Sequence, residues 1–370
     1  MKQGIKEKIR KSWKCFWRAV GIFSFIGCQA VIAVIIAIVV MIIGKGAVYI
    51  ITLTFFDFKD GSYIQNVSLI PGKDATIRLR GGVDLEMIWI EPGTYTLGSP
   101  VNELGWHHSE VMHKVTLTKG FWLGKYEVTQ AQWKAVMRSN PSKFIDNNNP
   151  VEGINWEDAM SFCRALTKQE QALGRLLEGY QYILPTSAQW EYACRAGTTT
   201  ALNSGKNLSN AEKCPEMDEV GWYKYNSKGR THPVGQKKPN AWGLYDMHGN
   251  VFEWCYDWAV DYPDGALTDP ITVHEPNDKL AWHRILRGGC WFHDAEICRS
   301  AVWFHSHPTR MNNSEYHRER DGFRLSIASR SYFKKSSFIN KLFNRFWMAD
   351  IAYRNGSEIQ GRVLDYNYFY

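Results

Sequence analysis

A chain of 370 residues is too long for one small module and leaves room for one large domain with flanking segments. Its 14% aromatic content, with 16 tryptophans, excludes a disordered or fibrous chain and allows a sizeable buried core. The formal charge of +7 does not point to nucleic acid, because the excess sits in two tails. One carries Lys2, Lys6, Lys8, Arg10, Lys11, Lys14 and Arg18, the other Arg330, Lys334, Lys335, Lys341 and Arg345, and the body between them is near neutral.

Residues 1–18 form a basic tail ahead of an almost unbroken apolar run over residues 19–43. At ~1.5 Å per residue that run is long enough to cross a bilayer core as one transmembrane helix. The positive-inside bias keeps the N-terminus in the cytoplasm and places the rest outside. A cleaved signal would show a shorter apolar stretch and a small-residue cleavage site, whereas this run continues through Gly46, Ala47 and Val48.

Residues 44–84 read as an extended connector, with up to two strands between Phe56 and Gly82, and the body spans residues 85–328. It opens with a strand at residues 85–90, a turn at Glu91-Pro92-Gly93-Thr94 and a second strand, which together predict a hairpin. Residues 115–117 and 121–128 continue the β pattern. Thr129 is placed as the cap of a first helix, Asn155 opens a second, and Thr186 opens a third behind Pro185. Residues 197–238, rich in Gly, Asn, Ser and Lys, predict irregular loops. The class is α+β. Residues 329–370 read as a basic, amphipathic tail with Phe338, Leu342, Phe346 and Trp347 on one face.

Of eight cysteines, Cys15 and Cys28 fall in the tail and apolar run, and none forms a C-x-x-C pair, so a structural zinc site is not expected. Cys163, Cys194, Cys214, Cys255, Cys290 and Cys298 are open to disulfides in an oxidising compartment or to burial as small apolar thiols.

Six ordered motifs carry a family resemblance: residues 87–99, Lys125-Tyr126-Glu127-Val128-Thr129-Gln130, residues 184–193, residues 239–254, Arg287-Gly288-Gly289 and Gly322-Phe323-Arg324-Leu325. Across residues 85–328 they resemble the formylglycine-generating-enzyme, or sulfatase-modifying-factor, family. The resemblance implies a loop-rich, C-type-lectin-like variant fold, often steadied by calcium. It assigns that ion to Asp246 and Glu253 with the main-chain oxygens of Gly249 and Val251, and such hard oxygen ligands suit calcium.

The family's reaction oxidises a substrate cysteine to formylglycine and needs two cysteines that hold copper(I), a soft ion that favours thiolates. Counting from Gly288-Gly289, the expected pair falls on His293 and Cys298, so one thiol is replaced. Cys290 and Cys298 remain the catalytic candidates, with copper as the cofactor only if the chain is an enzyme. Trp291, Phe292, His293, Trp303, Phe304, His305, His307, Tyr316 and His317 crowd the same stretch, with Arg324 close behind, and read as a ligand-binding surface. The expectation is a membrane-anchored binding module for a protein, peptide or glycan. The alternatives are an active sulfatase-modifying thiol oxidase, a divergent copper oxidase using Cys290 and Cys298, and an envelope accessory factor docked on a membrane complex.

Overall fold

The computed structural model describes residues 58–59, 62–63, 69–260, 262–272, 282–309 and 318–333. Two units separate, Met1–Asn66 and Val67–Tyr370. In the first, β1 (Phe58–Lys59) pairs antiparallel with β2 (Ser62–Tyr63). No helix among the described residues is long and apolar enough to cross a membrane. The run at residues 19–43, the amphipathic stretch after residue 333, Tyr316 and His317 lie outside the described residues.

In the second unit the chain runs through β3 (Ala75–Arg78), β4 (Asp84–Ile90), β5 (Gly93–Leu97), β6 (His113–Leu117) and β7 (Phe121–Gly124). Helices α1 (Gln130–Met137) and α2 (Trp156–Ala172), strand β8 (Tyr180–Ile183) and helices α3 (Ser187–Arg195) and α4 (Pro215–Val220) follow. Short strands β9 (Gly221–Trp222) and β10 (His248–Gly249) lead to β11 (Phe252–Trp258), β12 (Leu267–Thr268), β13 (Arg284–Arg287) and β14 (Trp303–Ser306). The unit closes with β15 (Asp321–Gly322), β16 (Ser326–Ser329) and α5 (Arg330–Phe333).

All three predicted helices start where their capping residues stand. Thr129, Asn155 and Thr186 each accept from the backbone N–H three residues on, while Gln132, Asp158 and Gln189 reach back to the cap's own N–H. These reciprocal bonds satisfy donors that the first turn leaves orphaned. The expected hairpin is not formed. Strand β4 already has β3 on one edge and β7 on the other in the order β3-β4-β7-β16-β8, so β5 turns away at Pro92 and pairs with β6 in a separate sheet. Strand β3, in the stretch read as a connector, is thus part of the folded sheet.

A four-stranded sheet in the order β14-β13-β11-β15 carries the motif-rich end of the chain. Every side chain of β11 and β13 is buried, because α3 covers one face and the N-terminal end of α2 the other. A strand covered on both faces loses polar–apolar alternation. The six cysteines from Cys163 to Cys298 are all free and buried, without disulfides among them.

Candidate functional site

Three arginines set the frame of the motif-rich region. Arg324, 0% exposed, donates to Glu253 at 2.9 Å and to the carbonyls of Gly124 and Tyr245, each at 2.8 Å. Arg287 donates to Ser187 Oγ and the Ala301 carbonyl and lies 3.1 Å from Glu191. Arg299 clamps Glu103 at 2.6 Å and Glu110 at 2.8 Å. Each guanidinium fork is filled by fixed acceptors, the condition under which a buried charge is tolerated. Arg324, expected at a ligand surface, is therefore a buried tie between β11, the end of β7 and the loop before β10. Reading it as exposed failed because its partners come from three distant segments.

The segment assigned to calcium coils tightly, with Asp246, Gly249 and Asn250 all at positive φ. Gly249 has no alternative there, since a Cβ would lie 2.0 Å from the Trp222 carbonyl oxygen. Asp246 Oδ2 accepts from the Gly235 N–H at 2.7 Å, while Oδ1 is buried without a hydrogen-bond partner among the described residues. Burial raises the Asp246 carboxyl to about 6. Glu253 is fully engaged: Trp190 Nε1 donates to Oε2 at 2.6 Å, and Arg324 donates to both oxygens. Glu127, absent from the sequence-based site, completes the cluster by accepting from Asn250 Nδ2 and the Val251 N–H. Burial first, then the neighbouring Asp246 and Glu253, raise its carboxyl well above the usual range. Glu253 thus has no oxygen left for a metal, and the residues do not fit a calcium ion held by both side chains. The main-chain oxygens of Gly249 and Val251 would be left with Asp246 alone.

Cys290 and Cys298 diverge in role. The Cys290 sulfur lies 3.0 Å from His293 Nδ1, and the His293 N–H donates to the Cys290 carbonyl in a tight turn. Cys298 instead packs in an apolar cluster with Leu202, Met217, Tyr223 and Ala295, and its sulfur donates to the Cys290 carbonyl at 3.9 Å. Gly289, at φ +73°, passes so close that a Cβ there would lie 2.4 Å from the Cys298 sulfur. Burial pushes the Cys290 thiol up to about 12 and raises Cys298 as well, so both are protonated at neutral pH.

The aromatic stretch does not form one surface. On β14 successive side chains alternate, which sends Phe304 to one face and Trp303 and His305 to the other. Phe304, 37% exposed, stands over Phe252 at 5.3 Å and His293 at 6.0 Å. Phe292, 43% exposed, lies 5.8 Å from His293, with the Arg320 guanidinium 3.9 Å from the centre of its ring. Trp291 is buried, edge-on to Phe144, and donates to the Glu319 carbonyl. Trp303 donates to the Ser109 carbonyl, and His305 and His307 follow it on the far face. Phe252 was not among the expected aromatic residues. Phe292 was legible as a neighbour of His293 in that stretch, whereas the place of Phe252 depends on pairing between β11 and β13.

A model described as the sulfatase-modifying factor enzyme 1-like domain matches residues 81–328. The chain belongs to this family. The chaperone protein LppX of Paenibacillus barcinonensis is 32% identical over 221 residues, 48% of this chain and 71% of that protein. The formylglycine-generating enzyme of Streptomyces coelicolor is 31% identical over 172 residues, covering 42% of this chain and 46% of the enzyme. Among solved structures, Treponema denticola variable protein 1 matches at 30% identity and a TM-score of 0.58, over 70% of this chain and 99% of that one. This member of the sulfatase-modifying-factor family thus shares less than half the length of the Streptomyces enzyme, and its α+β, loop-rich fold is the family's. Of the two copper positions implied by resemblance, it has His293 at one and the core-packed Cys298 at the other. Among the described residues no three His, Cys, Asp or Glu side chains converge on a metal position.

Proposed function

We propose that this family member is a membrane-anchored, extracytoplasmic binding module for a protein or peptide ligand, without formylglycine-generating activity. One observation carries the reading. Where the oxidase needs two accessible thiols, Cys298 is sealed in an apolar cluster and His293 holds Cys290, while Phe292 and Phe304 lie beside His293 with exposed rings. Rigid aromatic rings beside a guanidinium give contact area at low entropic cost, which suits peptide recognition. The anchor rests on the apolar run at residues 19–43 and the basic residues ahead of it. A relative described as a chaperone supports a role in binding.

The test uses a randomised, displayed peptide library panned on the purified full chain. Enriched peptides should lose about tenfold or more in affinity on Phe292→Ala with Phe304→Ala, in line with aromatic hot spots of ~2 kcal/mol. Peptides that bind the double variant as tightly as the parent chain would place the ligand elsewhere and overturn this surface.

A further inference from the structure

Arg287, Arg299 and Arg324 have their guanidinium forks filled, and Arg320 does not. It ends the 3-10 turn Arg318–Arg320, which Trp291 Nε1 holds by donating to the Glu319 carbonyl at 2.7 Å. Its guanidinium lies 3.9 Å from the centre of the exposed Phe292 ring. Among the described residues it makes no hydrogen bond or ion pair, and its Nε is buried without an acceptor. The carboxylates next to it in sequence do not claim it. Glu319 pairs with Lys143, and burial raises the Asp321 carboxyl to about 7, only partly offset by Arg320.

Arg230 repeats the arrangement on a neighbouring ring. It is exposed, lies 5.7 Å from the centre of the Phe144 ring, and is likewise unpaired among the described residues. Phe144 meets Trp291 at 5.5 Å, and Trp291 meets Phe292 at 5.7 Å. A run of three linked rings thus has an unpaired guanidinium at either end. Lys228, exposed and two residues from Arg230, adds a further positive charge.

We propose that the ligand of this surface is an acidic peptide segment, in which an Asp or Glu carboxylate stands beside an apolar side chain, and that Arg320 binds the carboxylate with Arg230 in support. The inference rests on the peptide-binding reading and adds the ligand's chemistry to it. A planar guanidinium matches a carboxylate through two parallel N–H···O bonds. Resting on Phe292, the Arg320 fork is already ordered, so less side-chain freedom is lost when the acid arrives. Phe292 and Ile145, the latter 65% exposed, offer apolar area for the side chain next to the acid. A nucleic acid strand would need a longer basic track than this cluster provides.

Biolayer interferometry of the purified full chain on three immobilised hexapeptide pools tests the proposal. The pools share a central Phe followed by Asp, Asn or Lys, with random residues elsewhere. The Asp pool should bind about tenfold or more tighter than the Asn pool, with the Lys pool weakest, and the advantage should shrink as salt is added. Arg320→Gln should bring the Asp pool down to the level of the Asn pool while leaving the Asn pool unchanged, which also shows the surface still folded. Arg230→Gln, at an exposed position, should remove part of the same advantage. Equal binding of the Asp and Asn pools, or an advantage that survives both arginine substitutions, would overturn the acidic-ligand inference. The peptide-binding reading would still stand in that case if all pools weakened on Phe292→Ala with Phe304→Ala. Failure of every pool to bind would overturn both, and tighter binding of an oligothymidylate than of the Asp pool would replace the peptide by a nucleic acid.

Discussion

Arg324 and Phe292 lie within one short stretch of sequence, yet they belong to regions built on opposite terms. Around Arg324, Glu253, Tyr245 and Gly124 leave the guanidinium no exposure and satisfy its donors from both sides. Around Phe292, two rings and a histidine meet solvent, and the Arg320 guanidinium lies over the Phe292 ring. The family motifs Arg287-Gly288-Gly289 and Gly322-Phe323-Arg324 fall in the first region, so they report on how the fold is tied together. The chemistry that distinguishes this chain falls in the second, between those fixed points.

The largest effect should come from breaking the frame. Arg324→Met leaves Glu253 buried without its counter-charge, and chemical denaturation should show a loss of about 3–5 kcal/mol. A loss below about 1 kcal/mol, the range of exposed pairs, would mean that water reaches the pair and that the two regions are not distinct. Next comes Gly289→Ala, where a methyl group meets Cys298 and the backbone is left-handed. It should cost about 1–3 kcal/mol by overpacking and strain.

A pH series probes the border between the regions. Glu152 accepts from the Lys143 and Phe144 N–H groups through Oε1, while Oε2 is buried without a partner among the described residues. Burial raises its carboxyl to about 7. An acid with a raised folded pKa holds its proton longer in the native state, so stability declines as pH rises from the unfolded value near 4.5 towards 7. Melting curves of Glu152→Gln should therefore gain on the parent chain above pH 7 and converge with it near pH 4. Calcium addition or chelation should leave the melting temperature unchanged, because Arg324 already occupies the Glu253 oxygens. The smallest effect on stability belongs to Phe304→Ala, which should stay within about 0.5 kcal/mol as a surface change.

The sequence made some of this plain and hid the rest for physical reasons. Helix starts were legible because Thr129, Asn155 and Thr186 act on residues three positions away. The family was legible because its motifs are fixed by tight turns and buried ties. Hidden were the contacts that need distant strands to pair: β3 added to the edge of β4, Arg324 on Glu253, and His283 set beside His305. The aromatic stretch looked like one surface because its residues are adjacent in sequence. Strand period divides them between two faces, and that division appears only once β14 is known to be a strand.

The central claim is that the family's oxidation is not performed where Cys298 is sealed and His293 replaces a thiol. The purified full chain, loaded with copper(I) and given a cysteine-containing sulfatase-type peptide under oxygen, tests it by mass spectrometry of the peptide. The account predicts an unmodified cysteine. Conversion to the aldehyde, lost in Cys298→Ser, would contradict it.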